Sequence, residues 1–237
     1  MTSENKIIPV EYFTDMLCIW AYGAQIRIDQ LQKDFPNQLQ FHYRFIPLFG
    51  ATQKRIGQGW KDKGGFEGFG QHMQEVAQQW DHIDVHADVW ASCRPASSIV
   101  VHLFLKAIQL QEQAAEINQD PISKWGGKTL FEAAMWLTRE RFFKQACNIC
   151  QCDQQRDIAT ELGLNYNAIK ALIDNGEAYA ALHLDHEAQA EYQVPGSPTL
   201  IMNAGRQRLY GNVGYRILKA NVEELLHDHH SGEASWC

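Results

Sequence analysis

Apolar and polar positions along this chain repeat with two periods, and the change from one to the other marks out its elements. Ile7, Ile8, Val10, Tyr12 and Phe13 form a short β-branched and aromatic run, the composition of a buried strand. Asp15 interrupts that run. Ala21, Ala24, Ile26, Ile28 and Leu31 then predict a helix from about Cys18 to Leu31, closed by the turn signal Phe35-Pro36-Asn37. Leu39, Phe41, Tyr43 and Phe45 alternate with Gln40, His42, Arg44 and Ile46, a period of two that predicts a second strand. Strand, long helix, strand is the βαβ pattern of an α/β domain with parallel neighbouring strands.

The middle of the chain carries the helical period. A glycine-rich stretch from Gly57 to Gly70, with Trp60, Phe66 and Phe69, reads as a loop: either a mobile one beside a binding groove or a plain surface loop. Its glycines match no phosphate-cradling spacing, so nucleotide binding is excluded on this ground. A helix is predicted from about Gly70 to Trp80. Ser92-Cys93-Arg94-Pro95 reads as the start of another, with Ser92 or Cys93 as N-cap, carrying Ile99, Val100, Leu103, Phe104, Ala107 and Ile108. Asp120-Pro121 signals a start for a helix carrying Leu130, Phe131, Ala134, Met135 and Leu137. Helices over Asn165 to Gly176 and Ala178 to Tyr192 complete a block in which no strand is predicted. The α/β pattern then returns: strands at Thr199–Met202 and Arg208–Tyr210, joined through Asn203-Ala-Gly205, and a last helix from about Tyr215 to Leu226. The predicted organisation is a sheet-bearing domain from residues 1–65 and 193–230, a helical insertion over 66–192, and a flexible tail at 231–237.

Composition narrows the function. The 237 residues are 45% hydrophobic with a net charge of −7, enough for a core and the wrong sign for a nucleic-acid binder. No apolar run is long enough for a bilayer, and Met-Thr-Ser-Glu-Asn-Lys leads into the first strand without a signal-peptide core, so a cytoplasmic location is expected. There the six cysteines (Cys18, Cys93, Cys147, Cys150, Cys152 and Cys237) rest as thiols. His82, Asp84 and His86 read as loop residues. Cys147-Asn-Ile-Cys150-Gln-Cys152 falls one ligand short of a tetrahedral zinc site and reads as unpaired thiols at a helix end, so no metal is expected. Cys18 differs from the rest. It sits where a strand turns into a helix, and the first free N–H groups and the helix dipole there favour a thiolate.

A second motif, Val194-Pro-Gly-Ser197-Pro198-Thr-Leu, places a proline at the mouth of a strand, where it has no N–H to give the ladder and where cis bonds are found. The two motifs, their order and the helical block between them resemble the DsbA-like branch of the thioredoxin superfamily. The closest in style is the group of FrnE-like oxidoreductases, hydroxychromene-carboxylate isomerases and kappa-class glutathione transferases. The resemblance covers nearly the whole chain. It implies a thioredoxin fold interrupted by a large all-helical insertion, with Cys18 as nucleophile and Pro198 as the cis-proline beside it. One departure matters: the family's Cys-x-x-Cys is here Cys18-Ile19-Trp20-Ala21, with no resolving cysteine, so Cys18 has no partner in the motif for an internal disulfide.

The reading that follows is a monothiol thiol–disulfide oxidoreductase. Trp20 is expected to wall the site, Ile19 and Ala21 to be among the substrate-binding residues, and Ser197 with Pro198 to align a bound peptide or glutathione backbone. The resemblance places Cys93 near Cys18, lining the same groove; the other reading is a small apolar residue at a helix–helix contact. The substrate would be a small thiol or a peptide disulfide, with glutathione as co-substrate and no tightly bound cofactor. Nucleic acid and membrane are not expected as partners, and the oligomeric state is open, a homodimer included. Two rivals are a glutathione-dependent isomerase or transferase, favoured by a small-molecule cavity under the helical block, and a redox-inactive peptide-binding module, favoured by an unactivated Cys18 thiol.

Overall fold

A computed structural model describes residues 6–227. Cys237 and the expected flexible tail at 231–237 lie outside them. β1 (Ile8–Thr14), α1 (Ile19–Asp34) and β2 (Leu39–Phe45) form the expected βαβ unit, with β1 and β2 parallel and Tyr12 opposite Tyr43. After the helical block, β3 (Thr199–Met202) returns antiparallel to the other side of β1. β4 (Gln207–Tyr210) pairs antiparallel with β3, giving the order β2-β1-β3-β4. Asn203, Ala204 and Gly205 all take positive φ in the connecting turn, a conformation glycine and asparagine reach at least cost.

Tyr12 and Phe13, adjacent in β1, are both buried because both faces of the strand are covered there. Ile8, Val10 and Tyr12 belong to the main core with Ile28 and Leu31 of α1 and with α8 (Tyr215–Leu226). Phe13 faces the other way, into a smaller cluster with Ile46, Val194 and Ile201. The main core runs without a break from the sheet into the helical block.

That block comprises α2 (Gly65–Ala77), α3 (Ile99–Gln113), α4 (Leu130–Arg139), α5 (Cys152–Glu161), α6 (Tyr166–Asp174) and α7 (Glu177–Glu191). Asp185 of α7 fastens it to the sheet. Its fully buried carboxylate accepts the Phe45 N–H at 2.8 Å and pairs with Lys106 Nζ of α3 at 2.6 Å and Arg44 Nη1 at 3.3 Å. Burial pushes the Lys106 amine down, and Asp185 acts against that shift.

Three expected starts are corrected. The Gly57–Gly70 stretch is not a loop: Gln53–Gln58 is a π-helical turn, Lys61–Lys63 a 3₁₀ turn, and α2 begins at Gly65. Its aromatic residues drive this, since Trp60 packs edge-on to Phe69 and both Phe66 and Phe69 contact the fully buried Trp90. α3 begins at Ile99 rather than at Ser92 or Cys93. The residues before it are held in a turn by Thr52, whose hydroxyl donates to Pro95 O at 2.7 Å and whose N–H donates to Ala96 O. α4 begins at Leu130, not near Asp120-Pro121, because Thr129 and Glu132 form a reciprocal capping box.

Candidate active site

Cys18 is the N-cap residue of α1, in extended conformation at φ −86° and ψ 113°. Its N–H donates to Asp15 O at 3.1 Å, closing the turn that brings the sulfur to the helix start. The Ser197–Pro198 peptide is cis and lies against this turn. Cys18 Sγ donates to Ser197 O at 3.3 Å, and the Ser197 hydroxyl accepts the Asp15 N–H at 2.9 Å. Two motifs 179 residues apart in sequence are thus joined by two hydrogen bonds.

Asp15 organises the turn from beneath. The carboxylate is fully buried and accepts from Leu17 N–H at 2.8 Å, Phe49 N–H at 2.9 Å and the Ser98 hydroxyl at 2.8 Å. His102 of α3, also fully buried, has Nε2 at 3.7 Å from Asp15 Oδ1. The same nitrogen accepts the Met16 N–H at 3.3 Å, so it carries no proton in this arrangement and the Asp15 contact is not a hydrogen-bonded ion pair. The interruption of the strand by Asp15 was the sequence signal for this residue. Ser98 and His102 gave none.

A cavity of about 220 Å³ opens over the sulfur. Cys18, Ile19, Trp20 and Ser197 line it, together with Leu48, Phe49, Arg55, Phe69, His72, Met73 and Tyr210. Trp20 is held edge-on against Trp80 at 5.5 Å, which fixes the wall it forms. Arg55 stacks over Phe49 at 4.9 Å and brings a positive charge to the rim. Ala21 and Pro198 are buried and do not line the cavity; the Pro198 carbonyl accepts the Gly211 N–H at 2.8 Å. A larger cleft of about 580 Å³ between Thr52 and Arg94 is lined by no cysteine.

Two expectations are corrected here. Cys93 does not line the Cys18 cavity. Because α3 starts late, Cys93 sits in the turn closed by Trp90 N–H on Cys93 O, and its thiol is pushed up to about 11 by burial and by the charges of Cys147 and Asp88. Nor is Cys18 acidified. Burial pushes its thiol above the ordinary range and the Asp15 carboxylate adds to this; the bond to Ser197 and the N–H groups of Ala21 and Trp20 pull down without winning. The helix-start argument was right about those N–H groups and wrong about solvent, which the aromatic wall removes. A pH profile follows. The thiolate is scarce below the usual thiol range, so alkylation of Cys18 in the free protein should stay slow at pH 7 and rise with pH to beyond 9. Intact-mass kinetics against Cys18→Ser would measure it, and a rate already level by pH 7 would refute the burial argument.

Comparison with solved structures identifies the architecture. A candidate protein disulfide isomerase from Nitrosomonas europaea superposes with a TM-score of 0.70 at 14% identity, covering 93% of this chain and 98% of that one. A candidate DsbA oxidoreductase from Streptomyces coelicolor gives 0.69 at 14% identity, covering 96% and 94%. The fold is a DsbA-like thioredoxin fold with a helical insertion. The cytosolic disulfide reductase DsbM from Pseudomonas aeruginosa, also solved with GSH, shares this DsbA-like fold with a TM-score of 0.63 at 18% identity, covering 92% and 99%. No family model and no curated protein matches the chain in sequence. At the turn from β1 into α1 the chain carries Cys18-Ile19-Trp20-Ala21, with a single cysteine in the motif. Among the described residues no helix is long and apolar enough to cross a membrane.

Proposed function

We propose that this protein is a monothiol thiol–disulfide oxidoreductase, linked to glutathione and working in the cytoplasm, with Cys18 as its nucleophile. The observation that carries the reading is that Cys18, alone among the cysteines of the described residues, stands in the wall of a cavity it shares with Ser197. Ala21 stands where a resolving thiol would be, so a disulfide formed at Cys18 is a mixed one. In the reaction, Cys18 Sγ attacks one sulfur of a glutathione mixed disulfide. The Cys18–glutathione S–S bond forms, the substrate S–S bond breaks, and the proton of Cys18 leaves with the departing thiol. A second glutathione thiolate then attacks the mixed disulfide, restoring Cys18 and releasing glutathione disulfide. Arg55 and His72 at the cavity suit the carboxylates of glutathione, and the GSH-bound DsbM structure supports the same choice.

A protonated, water-shielded Cys18 fits this cycle as a resting state, with the thiolate forming when a substrate displaces Ser197 O from the sulfur. The same raised thiol is the feature that favours the redox-inactive module, and the turnover experiment separates the two. The isomerase or transferase reading draws support from the apolar wall of Leu48, Phe49, Phe69 and Met73 under α2. That reading requires glutathione and a second substrate together, and about 220 Å³ is below the roughly 300–1,000 Å³ of ordinary ligand sites. The test is glutathione-dependent reduction of a small mixed disulfide, coupled to glutathione reductase. Wild type should turn over, and Cys18→Ser should fall to the uncatalysed rate. Turnover retained in Cys18→Ser, or none in wild type, would overturn the proposal.

A further inference from the structure

Beyond the Cys18 site, the fold assembles a second set of thiols. The turn carrying Cys93 and the turn carrying Cys147 are laid against each other by two contacts. The His86 N–H donates to Phe143 O at 2.7 Å, and Cys150 Sγ donates to Ser97 O at 3.0 Å. In sequence Cys93 falls between His86 and Ser97, and Cys147 falls between Phe143 and Cys150. Both cysteines are therefore bracketed by contacts between the same two segments. Packing holds this alignment, because the Trp90 ring meets Phe142 at 5.2 Å. Neither cysteine is in a helix: Cys147 lies between the π-helical turn at Glu140–Lys144 and α5, with its N–H on Arg141 O at 2.8 Å.

We propose that Cys93 and Cys147 form an intramolecular disulfide under oxidising conditions. The electrostatics agree with this alignment of the two segments: the Cys147 charge is one of the lesser causes that raise the Cys93 thiol, and the Cys93 charge bears in the same way on Cys150. Their exposures assign the roles. Cys147 is half-buried and its Sγ has only a long contact of 3.8 Å, to Gln145 O, so it meets the oxidant first; Cys93 is 9% exposed and serves as the resolving thiol. With a hydroperoxide as oxidant, Cys147 sulfur attacks the peroxide oxygen and becomes a sulfenic acid while the alcohol, or water from hydrogen peroxide, departs. Cys93 sulfur then attacks the sulfenyl sulfur, forming the S–S bond and releasing one water. Two thiols are oxidised, and one peroxide bond is reduced. Two glutathione-type thiols reverse the step: the first attacks the Cys147 sulfur and releases the Cys93 thiol, and the second attacks the resulting mixed disulfide, freeing Cys147 and leaving as glutathione disulfide.

The bond would act on the Cys18 site through Trp90. That ring is fully buried and stacks on Phe49 at 5.6 Å and meets Phe69 at 5.8 Å, and both phenylalanines line the Cys18 cavity. Joining Cys93 to Cys147 staples the turn that holds Trp90 to the segment after α4, stiffening the back of the cavity wall. Oxidation therefore raises the melting temperature.

The test treats the full chain with limiting hydrogen peroxide, blocks remaining thiols with an alkylating agent, and maps disulfides by non-reducing peptide mass spectrometry. The expected product is a cross-link between the Cys93 and Cys147 peptides. It should form equally in Cys18→Ser, so that its outcome is independent of the Cys18 mechanism. It should persist in Cys150→Ser and vanish in Cys147→Ser and Cys93→Ala, and only variants that form it should gain thermal stability on oxidation. A cross-link within Cys147, Cys150 and Cys152 that survives Cys93→Ala would overturn the proposal. So would over-oxidation of Cys147 with Cys93 still free in wild type, a result that does not depend on how any variant folds.

Discussion

Asp15→Asn should destabilise the protein by about 2–4 kcal/mol and lower the Cys18 thiol pKa at the same time. The Asp15 carboxylate is fully buried and satisfies three donors, Leu17 N–H, Phe49 N–H and the Ser98 hydroxyl. Asparagine keeps one acceptor oxygen and turns an amide toward donors, leaving at least one of them unsatisfied in the core. The electrostatic effect runs opposite to the structural one. The Asp15 charge is one of the causes raising the Cys18 thiol, so its removal lets the thiol ionise at lower pH and react faster at a fixed pH near 8. Ser98→Ala is the control: it removes a hydrogen bond to Asp15 but leaves the charge, so it should lose stability without gaining reactivity. Urea unfolding and the pH profile of alkylation together read both effects. Faster alkylation in Ser98→Ala as well would mean that looser packing, not charge, exposes the sulfur.

Ala21→Cys should convert the protein into a dithiol oxidoreductase. Position 21 is the third residue of α1, and the backbone hydrogen bond of Ala21 bears on the Cys18 sulfur. On a regular helix two Cβ atoms three residues apart are roughly 5–6 Å from each other, too wide for a relaxed disulfide. Cys18 is not on the regular helix: as N-cap it has extended backbone, which leaves its side chain free to turn toward the first helical turn. A cysteine at position 21 then meets Cys18 within the first helical turn. Nearly all of the variant should oxidise to an internal disulfide under mild glutathione disulfide, and it should reduce insulin where the parent does not. A variant that stays reduced, or that crosslinks only between molecules, would mean that the Cys18 turn does not have the geometry described.

Several features of this site were legible in the sequence because local chemistry fixes them. The β-branched run ending at Asp15 and the period of two from Leu39 to Phe45 gave the βαβ unit within a residue or two. Asn203-Ala-Gly205 gave the turn, and the resemblance carried by Cys18 and Pro198 brought the two motifs together across the sheet. What was not legible depends on residues distant in sequence. Ser92 and Pro95 carry every mark of a helix start, yet Thr52 captures the carbonyls at Pro95 and Ala96 and delays the helix to Ile99. The glycines of Gly57–Gly70 suggested a loop, while the aromatic residues among them pack on Trp90 and coil the chain. The role of Asp15 depends on Phe49 and Ser98, and the raised thiol of Cys18 depends on the wall that α2 closes over it. Helix-start electrostatics is a local rule, whereas desolvation is set by everything that packs around the sulfur.

If Cys18 is the nucleophile of the cavity, the other five cysteines are dispensable for turnover. A variant that retains Cys18 and has serine at Cys93, Cys147, Cys150, Cys152 and Cys237 is assayed beside Cys18→Ser for glutathione-dependent reduction of a peptide–glutathione mixed disulfide, with the enzyme-bound adduct trapped by acid and mapped. The first variant should turn over close to wild type with glutathione on Cys18, and the second not at all. Activity that follows any of the other five cysteines, with Cys18 never found as a mixed disulfide, would contradict this role of Cys18.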